Sequence, residues 1–231
     1  MKILTVLGTR PELIRLCLVI KKLDACAEHV LVHTGQNFSS SLKDVFFEEL
    51  GVREPDELIN SKSDSFAGQV SKILAGVERV VEKERPDRLL ILGDTNSGLS
   101  AIIAKRVGIP VFHMEAGNRC FDDRVPEEVN RRIIDHSSDL LLPYTERSRQ
   151  NLLDEGIPCR RILVTGNPIY ECIQHFRGQI QTSKVHSKLG IEKDKYFLVT
   201  LHRAENVDDS DRLFRFAELF KLLTERFHMP V

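Results

Sequence analysis

Three carboxylates lie where the apolar segments of this chain pass into polar loops. They are Asp94 after Leu92-Gly93, Glu115 in His113-Met114-Glu115-Ala116-Gly117, and Glu127 in Pro126-Glu127-Glu128. If the apolar segments are parallel strands, these positions face the crevice beyond the carboxyl ends of the strands, where open α/β sheets bind ligands. The pattern therefore predicts acid/base chemistry at one edge of a sheet.

Each carboxylate also has a structural interpretation. Asp94 suits a cap for the helix that begins near Ser97, and Glu127 suits the first turn of a helix after Pro126. Glu115 differs from both, because its apolar neighbours offer little to solvate a charge apart from His113 and Arg119. Burial without function would therefore be costly at Glu115.

A basic residue follows the first apolar segment. Arg10 comes directly after Gly8-Thr9 and before Pro11, which suits the first turn of a helix. A guanidinium beside a helix N-terminus is a natural binding site for an anion. A salt bridge that anchors the loop, for example to Glu12, is the other interpretation of Arg10.

Composition excludes several classes of protein. The 231 residues carry a formal net charge of -1 and are 42% hydrophobic, which is typical of a soluble globular protein and does not favour nucleic acid or an anionic membrane as partner. The five cysteines are scattered, with no spacing typical of a zinc site or a disulfide framework. The apolar run at the N-terminus is too short for a signal peptide or a membrane span and predicts a core strand.

Behind the candidate residues, short buried strands alternate with amphipathic helices. The predicted strands are residues 1–7, His29–Thr34, Arg88–Leu92, Pro110–Met114, Leu140–Leu142, Ile162–Val164 and Tyr196–Leu201. The predicted helices are Pro11–Lys22, Ser40–Leu50, Ser65–Glu84, Ser97–Val107, Pro126–Ser137, Glu146–Glu155, Tyr170–Phe176 and Asp209–Phe227. This alternation predicts an α/β fold with a parallel, doubly wound sheet.

The chain divides into three segments by composition. Residues 1–167 form the predicted first domain, residues 168–195 an interdomain helix and a polar linker, and residues 196–231 the beginning of a second domain. One βα unit and the start of another strand cannot bury both of their faces alone. We therefore expect this second domain to be incomplete.

Six motifs in one order resemble the non-hydrolysing UDP-N-acetylglucosamine 2-epimerase family over essentially the whole chain. They are Gly8-Thr9-Arg10-Pro11-Glu12, Gly93-Asp94-Thr95, His113-Met114-Glu115-Ala116-Gly117, Pro126-Glu127-Glu128-Val129-Asn130-Arg131, Thr165-Gly166-Asn167 and His202-Arg203-Ala204-Glu205-Asn206. The resemblance implies a GT-B-like fold, in which two Rossmann-like domains face each other across a cleft.

The resemblance also implies a reaction without NAD and without a metal ion. A base removes the C2 proton as UDP is eliminated, and UDP adds back to the 2-acetamidoglucal after protonation on the other face. Asp94, Glu115 and Glu127 match the acidic positions of the family, and His202 matches its diphosphate-binding histidine. Arg15 stands where relatives usually have lysine, and with Arg10 it is expected to bind the diphosphate.

The substrate expected from the resemblance is UDP-N-acetylglucosamine or a 6-deoxy analogue. The segment 117–126 is short, as in 2-epimerases that form UDP-N-acetyl-L-fucosamine, which also share His33-Thr34-Gly35-Gln36-Asn37. By the same analogy we expect a cytoplasmic homodimer that supplies surface polysaccharide synthesis.

Two other functions fit the sequence. A GT-B glycosyltransferase would pass the sugar of a UDP-sugar to an acceptor, and a truncated binding or assembly remnant would have no activity. Because the family takes further nucleotide contacts from later in its second domain, we expect residues 1–231 alone to have little epimerase activity.

Overall fold

The computed structural model describes residues 1–36, 46–201 and 204–231, which form two compact units, Met1–His175 and Phe176–Val231. The first unit extends past the predicted domain end at residue 167, because the helix Pro168–His175 packs on the helix that follows the first strand. Cys172 is 4% exposed there, and its thiol donates to the carbonyl oxygen of Ile14.

The first unit contains a parallel sheet of six strands. They are β1 Lys2–Leu7, β2 Glu28–His33, β3 Glu57–Leu58, β4 Arg88–Leu92, β5 Val111–Met114 and β6 Leu140–Leu142, in the order β3-β2-β1-β4-β5-β6. The predicted α/β class is confirmed. Strands β2 and β3 are added on one side of β1, and β4, β5 and β6 on its other side. The point between β1 and β4 is therefore a topological switch point, and such points open a crevice at the carboxyl ends of the strands. The helix that follows β1 begins at Arg10, and the loop after β4 carries Asp94.

Helices flank this sheet. They are α1 Arg10–Cys26, α2 Phe66–Glu84, α3 Ala101–Arg106, α4 Pro126–Ser137, α5 Glu146–Asp154 and α6 Pro168–His175. Local signals set their ends: the Ser65 hydroxyl accepts from Gly68 N at 3.1 Å before α2, and Thr145 accepts from Ser148 N at 3.1 Å before α5. Helix α2 ends at Arg85, which adopts a left-handed conformation.

An apolar core cluster of the first unit joins the central strands to three helices. Alternate residues of the central strands pack against buried residues of α2, α3 and α4. The cluster comprises Leu4, Val6, Val30, Val32, Ile59, Ile73, Val77, Val80, Val81, Leu89, Ile91, Leu99, Ala101, Ala104, Val111 and Ile134. This packing fixes the strand ends from which the candidate site is built.

Three predicted elements of the first unit differ from the structure. Ile162–Val164 forms only an isolated parallel bridge, from Ile162 to Leu141, because it lies beyond the short edge strand β6. The helix predicted at Ser97–Val107 is a 3-10 helix, Asn96–Ser100, followed by α3. Of the helix predicted at Ser40–Leu50, residues 46–50 are helical, and the rest lies outside the described residues.

The second unit consists of helices and loops. The helices are α7 Arg177–Gln181, α8 Val185–Leu189, α9 Ala204–Val207 and α10 Ser210–Phe227. Tyr196–Leu201, predicted as a strand, has no strand pairing in the described part of this segment; its backbone contact is Phe197 N donating to Pro230 O at 2.9 Å. Across the parts of the chain that the structure covers, no helix combines the length and apolar character that a membrane span requires.

Candidate active site

Glu115 lies directly after β5, in a left-handed backbone conformation with φ of +69°. Its side chain is 19% exposed and forms an ion pair with Arg15 of α1, and Asn118 Nδ2 donates to its Oε1 at 3.3 Å. Burial raises the pKa of the Glu115 carboxyl above its ordinary value; Arg15 opposes this shift and the negative charge of Asp94 adds to it. A carboxyl of this kind is suited to gaining and losing a proton.

Asp94 approaches Glu115 from the neighbouring strand end. Gly93, with φ of +78°, leaves room for the Glu115 side chain next to Asp94. A Cβ atom at Gly93 would lie 3.1 Å from Glu115 Oε2 and would crowd it. The Asp94 carboxylate accepts from Arg131 Nε at 2.9 Å and Nη2 at 2.7 Å. The structure therefore brings Asp94, Glu115 and Arg15 together, as the order of β1, β4 and β5 requires.

Tyr144 belongs to the same group of residues and was not predicted from the sequence. It follows β6 and Pro143, and its hydroxyl is buried beside Arg15 and Glu115. Burial and the charge of Glu115 raise the pKa of Tyr144 to about 12, so its phenol is neutral near pH 7. Its position after a buried strand, at the edge that carries Asp94 and Glu115, is the signal that could have identified it.

Glu127 and Glu128 lie in different environments. Glu127 is exposed on the first turn of α4 and makes no hydrogen bond or ion pair within the described part of the chain, whereas Glu128 is 0% exposed. Glu128 accepts from the backbone nitrogens of Cys120 and Phe121, both at 3.1 Å, and from Arg131 Nη1 at 2.9 Å. The structure does not place Glu127 with Asp94 and Glu115, and its catalytic role stays a prediction.

We expect Glu128→Gln to lower the free energy of unfolding by about 1–3 kcal/mol, because backbone donors lose a charged acceptor. Glu127→Gln is the matched control and should leave this free energy unchanged. Although burial opposes its charged form, the N–H and thiol of Cys120, the Arg131 guanidinium and the Phe121 N–H hold the pKa of Glu128 at about 2.

The pH dependence of the Glu128 contribution follows from this lowered pKa. The stabilisation is complete above the ordinary carboxyl pKa of about 4.5 and is lost as the pH falls toward 2. The difference between the parent protein and Glu128→Gln in urea unfolding should therefore shrink across this window. A difference that is constant with pH would contradict the assignment.

Arg10 is exposed at the start of α1, with its guanidinium 5.7 Å from the centre of the Phe46 ring. The backbone donors beside it are occupied: Gly8 N and Thr9 N donate to Glu12 Oε2 at 3.0 and 2.8 Å. Glu12 Oε1 accepts from the Thr95 hydroxyl at 2.9 Å, and burial raises the pKa of Glu12. The guanidinium of Arg10, rather than these two amides, therefore carries the predicted anion site.

A buried ionic network lies behind Glu115. Arg119 Nη1 contacts Asp135 Oδ2 at 2.8 Å, and its Nε and Nη2 each donate to Glu155 at 2.6 Å. Asp135 also contacts His113 and accepts from Gly117 N at 3.1 Å. The side chains of His113, Arg119 and Asp135 are at most 1% exposed. Arg119 is thus engaged with two other carboxylates, and the sequence did not indicate these pairings.

The remaining predicted residue is His202, which lies outside the described residues. Within the described part of the chain, no group of three or more His, Cys, Asp or Glu side chains could hold a metal ion. The cysteines are free thiols, and Cys17 and Cys172 are buried with their sulfur atoms 3.6 Å apart.

Comparison with known proteins gives a consistent result. A family model described as UDP-N-acetylglucosamine 2-epimerase matches residues 21–231. The chain is 38% identical to the UDP-N-acetylglucosamine 2-epimerase of Methanococcus maripaludis, over all of this chain and 64% of that protein. It is 36% identical to the UDP-2,3-diacetamido-2,3-dideoxy-D-glucuronate 2-epimerase of Pseudomonas aeruginosa, over 94% of this chain and 62% of that protein.

A solved structure with the same fold is the Methanocaldococcus jannaschii UDP-GlcNAc 2-epimerase in complex with UDP-GlcNAc and UDP. It superposes on 99% of this chain with a TM-score of 0.92 and 38% identity, and the chain covers 64% of it. The chain thus spans less than two thirds of the length of these relatives.

Proposed function

The chain belongs to the UDP-N-acetylglucosamine 2-epimerase family, and on this basis we propose that the whole protein inverts the configuration at C2 of a UDP-2-acetamido sugar. The observation that carries the proposal is the environment of Glu115: a partly buried carboxyl with a raised pKa, beside Asp94 and Arg15 at the switch point of the sheet.

Glu115 is the proposed proton-transfer residue. The proton at C2 is weakly acidic, so its removal requires a carboxylate that is positioned against it and partly desolvated. The C2–H bond and the C1–O bond to UDP break as the C1=C2 double bond forms, which gives UDP and a 2-acetamidoglucal. Protonation of C2 on the opposite face and return of UDP to C1 complete the inversion.

Two proton-transfer groups are needed for an inversion, one on each face of the sugar. Asp94 is the second proposed group, since the negative charge of Asp94 adds to the raised pKa of Glu115 and two neighbouring carboxyls favour a shared proton. Glu127, which is exposed on the first turn of α4, is a further proposed acid/base residue by its match to the family motif. His202 completes the set by its match to the family motif.

Arg10 and Arg15 are the proposed binding residues for the diphosphate. Negative charge develops on the β-phosphate as the C1–O bond breaks, and guanidinium groups stabilise it. The Arg15 guanidinium already faces the carboxylate of Glu115, so it lies between the site of proton transfer and the first turn of α1. This position couples departure of the diphosphate to the charge on Glu115.

The substrate class is a UDP-linked 2-acetamido hexose. The sugars for which the two relatives are named share this group and differ at C3 and C6. UDP-N-acetylglucosamine and its 6-deoxy analogues are the first substrates to test.

The test is deuterium exchange at C2. The protein is incubated in D2O with UDP-N-acetylglucosamine, and separately with 6-deoxy analogues, and NMR follows the C2 proton and the appearance of a C2 epimer. Because the chain covers 64% of its relatives, the same assay is run on a fusion of residues 1–231 with the remaining C-terminal segment of a relative. Deuterium incorporation with a new epimer is the expected result for the fusion. Absence of exchange from both proteins, when both are folded, would overturn the proposal.

A further inference from the structure

The ring of His113 connects the loops that carry the two central carboxylates. His113 is 1% exposed in β5, and its Nε2 lies 2.8 Å from the carbonyl oxygen of Gly93, next to Asp94. Its Nδ1 lies 2.8 Å from Asp135 Oδ1 on α4. Both ring nitrogens therefore face an oxygen atom within hydrogen-bond distance.

The oxygens of Gly93 and Asp135 determine which nitrogen atoms of the His113 ring carry protons. The Gly93 carbonyl has no hydrogen and only accepts, so Nε2 must donate. A neutral imidazole has one N–H group, and its other nitrogen only accepts. With Nε2 protonated, the Nδ1 contact requires a second proton, on either the imidazole or the Asp135 carboxyl.

The hydrogen-bond donors around Asp135 favour its ionised form. Its Oδ2 receives Arg119 Nη1 at 2.8 Å and Gly117 N at 3.1 Å, two donors that favour a carboxylate. The second proton therefore belongs to the imidazole.

We propose that His113 is a buried imidazolium, protonated at both nitrogens, and that it acts as a positioning residue for Asp94 and Glu115. Its Nε2–H fixes the carbonyl of Gly93 at the turn before Asp94. Its ion pair with Asp135 ties the same ring to α4 and, through Gly117 N, to the turn after Glu115. The His113 ring thus contacts the turn before Asp94 directly and the turn after Glu115 through Asp135.

Acidic and basic side chains surround the ring. The first unit places Asp135 of α4 and Glu155, which follows α5, against Arg119, and His136 also contacts Glu155. On the side of the crevice Glu115 and Asp94 pair with Arg15 of α1 and Arg131 of α4, and Arg131 also pairs with the buried Glu128. These five carboxyl groups face three guanidinium groups, so a positive charge on His113 offsets part of the excess of acidic groups.

The imidazolium also acts on Glu115. Its positive charge lowers the pKa of Glu115 and so opposes the larger effect of burial. His113→Gln, which keeps a donor but loses the charge, should therefore raise the pKa of Glu115. This part of the inference rests on the proposed function, whereas the protonation of His113 does not.

The direct test is a long-range 15N–1H correlation spectrum of the protein labelled with 15N-histidine. We expect both nitrogens of His113 to show the shifts of a protonated ring. His33 is the internal control: it is buried and its Nδ1 accepts from Gly35 N at 3.0 Å, so it should show a neutral pattern at that nitrogen. His113→Gln and His33→Gln assign the signals. A neutral tautomer at His113 would overturn the proposal.

A second measurement tests the positioning role. In the fusion protein that carries residues 1–231, we expect His113→Gln to reduce kcat about 100-fold with little change in KM, as a small misplacement of reacting groups does. The 13C titration of the Glu115 carboxyl should move to higher pH in the same variant. An unmoved titration with an unchanged kcat would overturn the positioning role. A doubly protonated His113, with no exchange from either the protein or the fusion, would refute the proposed function alone and leave the imidazolium standing.

Discussion

Replacement of Glu115 by glutamine is expected to reduce the rate of deuterium exchange at C2 by about 10²–10⁴-fold, the usual contribution of a positioned acid or base. Glutamine keeps the size of the side chain and an oxygen that Arg15 can reach, but it cannot take up a proton. The assay is the D2O incubation of the fusion protein, with circular dichroism to establish that the variant is folded. Binding of UDP should persist, since the loss lies in proton transfer.

Glu78→Gln is the control for this experiment. Glu78 is an exposed glutamate on α2, and the same replacement there should leave exchange unchanged. In the fusion protein without substitutions, the exchange rate should rise with pH through a pKa above that of an ordinary carboxyl, because burial raises the pKa of Glu115. A Glu115→Gln variant that exchanges at the parental rate would remove Glu115 from the mechanism.

Replacement of Arg119 by methionine is expected to lower the free energy of unfolding by about 3–5 kcal/mol, the usual cost of removing one partner from a buried ion pair. The Arg119 side chain is 0% exposed and contacts both Asp135 and Glu155. Methionine fills much of the space but leaves Asp135 with His113 and the Gly117 N–H as its partners among the described residues. Urea unfolding at neutral pH measures the loss.

Arg124→Met is the matched control. Arg124 also pairs with a carboxylate, Asp122, but its side chain is 91% exposed, and such pairs contribute little. Its free energy of unfolding should therefore stay close to that of the parent protein. Arg119→Lys, which keeps the charge and loses the planar fork, should fall between the two. Equal stabilities for the Arg119 and Arg124 variants would show that the network is not buried in solution.

Much of the first unit could be predicted because its strands are short, apolar and regularly separated. Arg88–Leu92, Leu140–Leu142 and the helix Pro126–Ser137 have the predicted bounds. Tyr196–Leu201 was wrong as a strand in the described residues, because apolar composition identifies a segment that can pair but not whether a partner strand lies beside it. The helix Ser97–Val107 begins as a 3-10 turn, which no apolar period reveals.

The candidate site, too, could be predicted from the sequence only in part. The proximity of Asp94 and Glu115 could be predicted, since both follow strands that prove to be neighbours. The choice between Glu127 and Glu128 could not, because two consecutive helical residues differ in direction by about 100° and the sequence does not set the rotation of α4. The pairs Arg15–Glu115 and Arg119–Asp135 join distant segments, and their geometry exists only after the sheet has assembled.

The central position of β1 has a consequence for how the protein acquires its structure. β1 pairs with β2 on one side and with β4 on the other, and Ile3 aligns with Arg88. During synthesis from the N-terminus, the edge of β1 that pairs with β4 therefore stays unpaired until residue 92 has left the ribosome. Parallel pairings between such distant segments form slowly and leave unpaired edges exposed. The arrangement that pairs β1 with β4 therefore also leaves an unpaired apolar edge, prone to aggregation, in the nascent chain.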